Sequence, residues 1–93
     1  GLQALYQNTT GNHNTASGFI ALFANTSGFK NTALGYSAFS TGSTYYNSTA
    51  IGYNAEPGVS NRVRLGNSSV SSIGGYTSWT NVSDGRFKTN IKE

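Results

Sequence analysis

Bulky and small residues alternate around a glycine that returns several times in the first half of the chain. In residues 33–38, ALGYSA, leucine and tyrosine alternate with alanine and glycine, and residues 16–21, ASGFIA, repeat the alternation. A period of two is typical of a β-strand. We therefore predict short strands with a bulky face that forms the core and a small-residue face that contacts a neighbouring copy. The small-residue face comprises Ala16, Gly18, Ala33, Gly35, Ala50 and Gly52.

The glycines recur with a 17-residue period, at Gly1, Gly18, Gly35 and Gly52. An alanine follows each glycine three positions later, and Thr-Ala precedes three of them. Because repeats this short indicate stacked units, the pattern predicts an all-β fold, a parallel β-roll or β-solenoid with 17-residue repeats. We expect ladders of Thr15-Thr32-Thr49 and Asn14-Asn31-Ser48. Gly35 should lie where backbones approach closely or φ is positive.

The match between repeats fades after Pro57. Residues 1–57 are therefore interpreted as head repeats and residues 58–82 as an extended connector that intertwines with partner chains. Val63 and Leu65 alternate with arginines there, and we expect Trp79 to be shielded by the partners. Since Gly1 already stands in the repeat register, we expect the natural amino terminus to lie further upstream.

Composition excludes several classes of function. Only 10% of the residues are charged and cysteine is absent, so disulfides do not stabilise the chain. No apolar run approaches the roughly 20 residues that cross a bilayer, and membrane insertion is not expected. The net charge is +3, but the basic residues near the end are spread out rather than clustered, so we do not expect nucleic-acid binding.

Few residues are candidates for catalysis, metal binding or ligand binding. His13 is the single histidine and only three acidic residues are present, so no metal site or cofactor is predicted. Tyr45 and Tyr46 fall in a predicted turn, and together with Tyr36 they are candidates for glycan contact, because tyrosine offers a flat apolar ring with a polar tip. Repeating aromatic residues elsewhere are interpreted as core.

The repeat units resemble a known group of proteins. Residues 15–22, 32–39 and 49–56 read TASGFIAL, TALGYSAF and TAIGYNAE, and they are similar to the head repeats of trimeric autotransporter adhesins. Those heads are left-handed parallel β-rolls wound as homotrimers, and their common repeat is somewhat shorter than the one in this chain. The resemblance implies a homotrimer on a cell or virion surface.

The end of the chain carries a second resemblance. Residues 61–93 are similar to the segment that joins fibre repeats to an endosialidase-type intramolecular chaperone, which trimerises a fibre and then cuts itself off between a Ser and an Asp. The motif is met by Ser83, Asp84, Arg86, Phe87, Lys88, Asn90 and Ile91. By this resemblance residues 83–93 are a truncated chaperone start, and the candidate autocleavage site is Ser83-Asp84, with Lys88 as a conceivable proton acceptor.

The sequence therefore predicts a structural and adhesive segment of an extracellular homotrimeric fibre, on a bacterial surface or a virion tail, that presents a receptor-binding part. A host glycan or protein is the expected receptor. Two alternatives stay open: an autoproteolytic junction at Ser83-Asp84, and a carbohydrate-binding module. Because most of the chaperone is missing from the chain, we expect no enzymatic activity of this chain by itself.

Overall fold

The described residues form a four-stranded parallel β-sheet. The computed structural model describes residues 1–82, and residues 83–93 lie outside the description. Four three-residue strands follow one another in the order β1 to β4. They are β1 (Thr15–Ser17), β2 (Thr32–Leu34), β3 (Thr49–Ile51) and β4 (Val63–Leu65). The predicted all-β class is confirmed, and the described residues contain almost no helix.

The strand register follows the sequence repeat through the first three strands. Thr15 pairs with Thr32 and Thr32 with Thr49, each one 17-residue interval further along. Thr49 then pairs with Val63, after a shorter, 14-residue interval. The sheet therefore continues into the stretch that the sequence analysis assigned to a connector, residues 58–82. The sequence repeat is hard to recognise there because the interval between paired strands shortens from 17 to 14 residues.

Backbone hydrogen bonds between successive units continue outside the strands. The amide of Leu22 donates to the Ala38 carbonyl (3.0 Å), and three consecutive amides, those of Thr26, Ser27 and Gly28, donate to the Ser43 carbonyl at 3.0 to 3.1 Å. Turns as well as strands are thus stacked on their equivalents, so polar backbone groups of the turns also find partners in the neighbouring unit.

The chain turns its corners through left-handed backbone conformations. Corresponding residues of successive units, such as His13, Lys30, Asn47 and Asn61, all have φ between 52° and 61°. Bulkier side chains do the same, including Ile20 (52°) and Phe39 (56°). Left-handed φ is costly for a β-branched residue, so these corners are maintained by the stacking of units rather than by local preference.

The core is small and rich in alanine. It consists of Ala21, Leu22, Ala33, Ala38, Phe39, Ala50 and Ala55, all at most 1% exposed. In β2 and β3 the middle alanine points inward, while Thr32 and Leu34 on either side of Ala33 point outward and are exposed. Leu22 and its equivalent Phe39 supply most of the bulk.

The prediction that the bulky face forms the core and the small-residue face contacts another copy was therefore wrong. Of the alanines of that small-residue face, Ala33 and Ala50 are buried and Ala16 is partly buried. The recurring aromatic residues Phe19, Tyr36 and Tyr53 are 38%, 49% and 57% exposed. The physical reason lies in the direction of the corners, which fold the rest of each unit over the alanine side of the strands. That side leaves room for a methyl group but not for a ring.

The chain is largely exposed beyond Gly66. Tyr76, Trp79 and Val82 are each at least 84% exposed in the isolated chain. A shallow depression in residues 74–79 is formed by that exposed segment alone. Nothing within residues 1–82 covers Trp79, so the predicted shielding by partner chains stays a prediction.

Candidate functional site

An exposed apolar strip runs along the outer face of the sheet. We define the apolar strip as Leu2, Phe19, Leu34, Tyr36, Ile51 and Tyr53, which are between 38% and 71% exposed. Leu34 and Ile51 are register partners at the outward ends of β2 and β3. The aromatic residues stand directly after the glycines of the repeat. Since a large apolar residue follows each of the glycines Gly1, Gly18, Gly35 and Gly52, the stacked units align these residues in one row.

The rings of the strip are ordered by the backbone beneath them. Phe19 stacks on Tyr36 with ring centroids 5.3 Å apart and an angle of 9° between planes, and Tyr36 stacks on Tyr53 at 5.4 Å and 7°. The Ser37 amide donates to the Phe19 carbonyl (2.9 Å), and this bond ties the two units together at the corner. The strip is thus a rigid surface that requires little ordering of side chains when something binds to it.

The glycines beneath the strip permit this close stacking. Gly35 has φ of 128°, and a Cβ added to it would lie 2.9 Å from the Gly52 carbonyl carbon. The expectation that Gly35 sits at a close backbone approach with positive φ is confirmed. Any larger residue would push the units apart and separate the rings.

Buried amide side chains fix the register of the units. Asn14 Oδ1 accepts from the Asn31 amide (3.0 Å), and Asn31 Oδ1 accepts from the Ser48 amide (3.1 Å). Asn31 also donates through Nδ2 to the Tyr45 carbonyl (2.8 Å). Because a buried amide costs free energy unless it is paired, a shift of one residue would leave these groups unsatisfied. The predicted Asn14-Asn31-Ser48 ladder is confirmed.

The Glu56 carboxylate ties the last repeat to the turn of the preceding unit. Its Oε2 accepts from the amide and hydroxyl of Ser40 (3.0 and 2.8 Å), and its Oε1 accepts from the amide and hydroxyl of Thr41 (3.3 and 3.1 Å). One carboxylate therefore accepts four hydrogen bonds from two consecutive residues of the preceding unit, where the interval between strands shortens.

No family model, curated protein or solved structure matches this chain. The strip was missed by the sequence analysis, although a signal was present. Leu34 and Ile51 lie on the strand face opposite the alanines, and only the choice of buried face was wrong.

The three tyrosines proposed for glycan contact lie in three separate groups. Tyr36 belongs to the apolar strip, and Tyr46 stacks on Phe29 with centroids 5.2 Å apart. Tyr45 is half-buried and packs against Phe39 with centroids 6.2 Å apart. The three rings therefore have different partners, glycan contact by them stays a prediction, and Tyr46 with Phe29 is an exposed stacked pair outside the strip.

The remaining candidate residues form no catalytic or metal-binding cluster within the described residues. Ser83, Asp84 and Lys88 lie outside residues 1–82. Within those residues no group of three or more His, Asp or Glu side chains is arranged to hold a metal ion. His13 Nδ1 is hydrogen-bonded to Oδ1 of its neighbour Asn12, which accepts at 3.0 Å. No helix among the described residues is long and apolar enough to span a membrane.

Proposed function

We propose that this chain is a structural segment of an extracellular homotrimeric fibre, in which a parallel β-solenoid of 17-residue coils presents a receptor-binding part. The observation that supports the proposal is the apolar strip. A soluble chain rarely exposes a continuous row of large apolar side chains unless another surface covers it. A homotrimer would use the same strip three times.

The strip suits contact between identical chains because all of its residues are apolar or aromatic and none is charged. Its six residues are large and about half exposed. Full burial of one such side chain is worth about 1.5 to 3 kcal/mol, so covering the exposed half contributes about 1 kcal/mol per residue. Six residues therefore contribute about 6 kcal/mol per chain toward association, and the neighbouring Thr32 and Thr49 add no charge that must be desolvated.

The rest of the molecule fits a fibre better than an enzyme or a regulatory switch. Repeated units, buried amide ladders and the low charged fraction of 10% make a stiff and chemically inert rod. The absence of cysteine means that strength comes from hydrogen bonds and packing. The two sequence resemblances support the same proposal, and they suggest adhesion to a host surface as its purpose.

Light scattering on the purified chain tests this proposal. The wild type should have three times the 9.8 kDa mass of one chain. Ile51→Asp should dissociate it by placing a charge in the strip. Phe29→Asp is the matched control, because Phe29 and Ile51 are both 39% exposed but only Ile51 lies in the strip. A monomeric wild type, or equal dissociation by both variants, would contradict the proposal.

A second candidate function, carbohydrate contact, is favoured by the stack of Tyr46 on Phe29. Tyr46 is 42% exposed outside the strip, so it stays accessible when the strip is covered. Lys30 and Asn47, the residues after the two rings, add polar groups beside the flat apolar surface. Binding to a glycan array that is lost in Tyr46→Ala but kept in Tyr45→Phe would support this function, and no binding by the wild type would exclude it.

A further inference from the structure

The last strand of the sheet differs from the others at one inward position. Ala33 pairs with Ala50, and both are buried, but the partner of Ala50 in β4 is Arg64, which is exposed. The strand is otherwise formed as the repeat requires. The Gly66 amide donates to the Ile51 carbonyl at 2.8 Å, the same distance as the equivalent bond one unit earlier. An arginine therefore stands where each earlier strand has an alanine.

The chain after Gly66 also stops the stacking. In the preceding units a backbone amide of the next unit donates to the carbonyl after the glycine, as the Asn54 amide does to Tyr36 (3.0 Å). For Tyr53 the donor is instead the side chain of Asn67, at 2.7 Å. Val70 lies over Gly66, where a Cβ would approach the valine side chain to 2.6 Å. These contacts satisfy the end of the stack without starting another unit.

We propose that Arg64, with the turn at Asn67, is a built-in stop that prevents a second copy of this chain from adding its sheet to the β4 edge. The free edges of a sheet are templates for further pairing, and inward-pointing charges are one way in which proteins protect them. The opposite edge, β1, carries alanine at the equivalent position, Ala16. Strand β1 is the other edge of the described sheet, so without the stop β1 of one copy of this 93-residue chain would fit onto β4 of another in the register of the repeat.

The geometry makes such a contact hazardous. Strand β1 docking on β4 is a head-to-tail contact between different surfaces, and contacts of this type build open filaments instead of closed oligomers. A copy docked on β4 would cover the guanidinium of Arg64 with the alanine-lined end of its own core. Among the described residues, the only carboxylate is that of Glu56, which is already engaged by Ser40 and Thr41. Burial of an unpaired guanidinium opposes docking.

Substitution of Arg64 tests the stop directly. Arg64→Ala converts VRLG (63–66) to VALG, which differs from TALG (32–35) of β2 at one outward residue. We expect this variant to keep the β-sheet circular dichroism spectrum and to form larger assemblies at a chain concentration at least tenfold lower than the wild type does, measured by sedimentation velocity. Because the variant is compared with the wild type over the same range of chain concentrations, the test does not depend on the oligomeric state of the wild type.

Two control variants separate the effect of the inward charge at Arg64 from the effect of basic charge in general. Arg62→Ala removes the same charge two residues earlier, where the side chain donates to the Pro57 carbonyl (3.1 Å), and it should assemble like the wild type. Arg64→Glu keeps a charge at the inward position and should also behave like the wild type. The proposal is overturned if Arg64→Ala is unfolded, if it assembles no more than the wild type, or if either control assembles as strongly.

Discussion

Alanine substitutions in the glycine column should destabilise the protein in a graded order set by how closely the units approach. Gly18, Gly35 and Gly52 have nearly the same φ, at 120°, 128° and 116°. The nearest backbone atom to an added Cβ is 2.6 Å away at Gly18, 2.9 Å at Gly35 and 3.3 Å at Gly52. The three alanine substitutions therefore have a similar conformational cost, but their steric costs differ.

The two contributions can be given magnitudes. A non-glycine residue at such a φ costs about 1 to 3 kcal/mol. Steric overlap with a rigid backbone adds about 1 to 3 kcal/mol more, which applies fully at Gly18 and little at Gly52. We expect Gly18→Ala to lose about 2 kcal/mol more than Gly52→Ala, with Gly35→Ala between them. For a domain of this size that difference is about 10 °C in Tm.

Thermal unfolding followed by circular dichroism, at one chain concentration for all variants, measures the order. Thr32→Val is the control, since Thr32 is exposed in β2 and valine has the same shape, and it should change stability by less than about 0.5 kcal/mol. Equal losses at Gly18 and Gly52, or losses no larger than that of the control, would refute the close-approach argument.

Three further outcomes are expected. Glu56→Gln should lower the free energy of unfolding by about 1 kcal/mol, because an amide cannot accept all four hydrogen bonds of the carboxylate, and an unchanged denaturation midpoint would contradict that role. Trp79 should fluoresce at shorter wavelength in the assembled wild type than in Ile51→Asp, and emission like that of indole in water in both would exclude an intertwined connector. In a parent protein with the complete chaperone, Ser83→Ala should abolish the chain cut while leaving the assembly intact, and a parent that is never cut would refute this hypothesis.

Sequence alone determined the features that depend on repetition. Equal spacing places identical residues in register, so the threonine pairing, the Asn14-Asn31-Ser48 ladder and the tight approach at Gly35 could all be predicted from the 17-residue period. Hydrogen bonds between equivalent positions can be predicted without deciding which side of the strand is buried. The same reasoning correctly predicted an all-β chain with parallel pairing.

The tertiary structure alone decided which face is inside and where the stacking ends. Alternation distinguishes two faces of a strand but does not say which one is buried, because that depends on the side to which the left-handed corners return the chain. Some of those corners are formed by residues such as Phe39, whose residue type does not predict a positive φ. Here the chain closes over the alanines, which leaves Leu34 and Tyr36 outside. The shortening of the last interval likewise becomes visible only through the pairing of Thr49 with Val63, since a turn can lose residues without altering the strands that it connects.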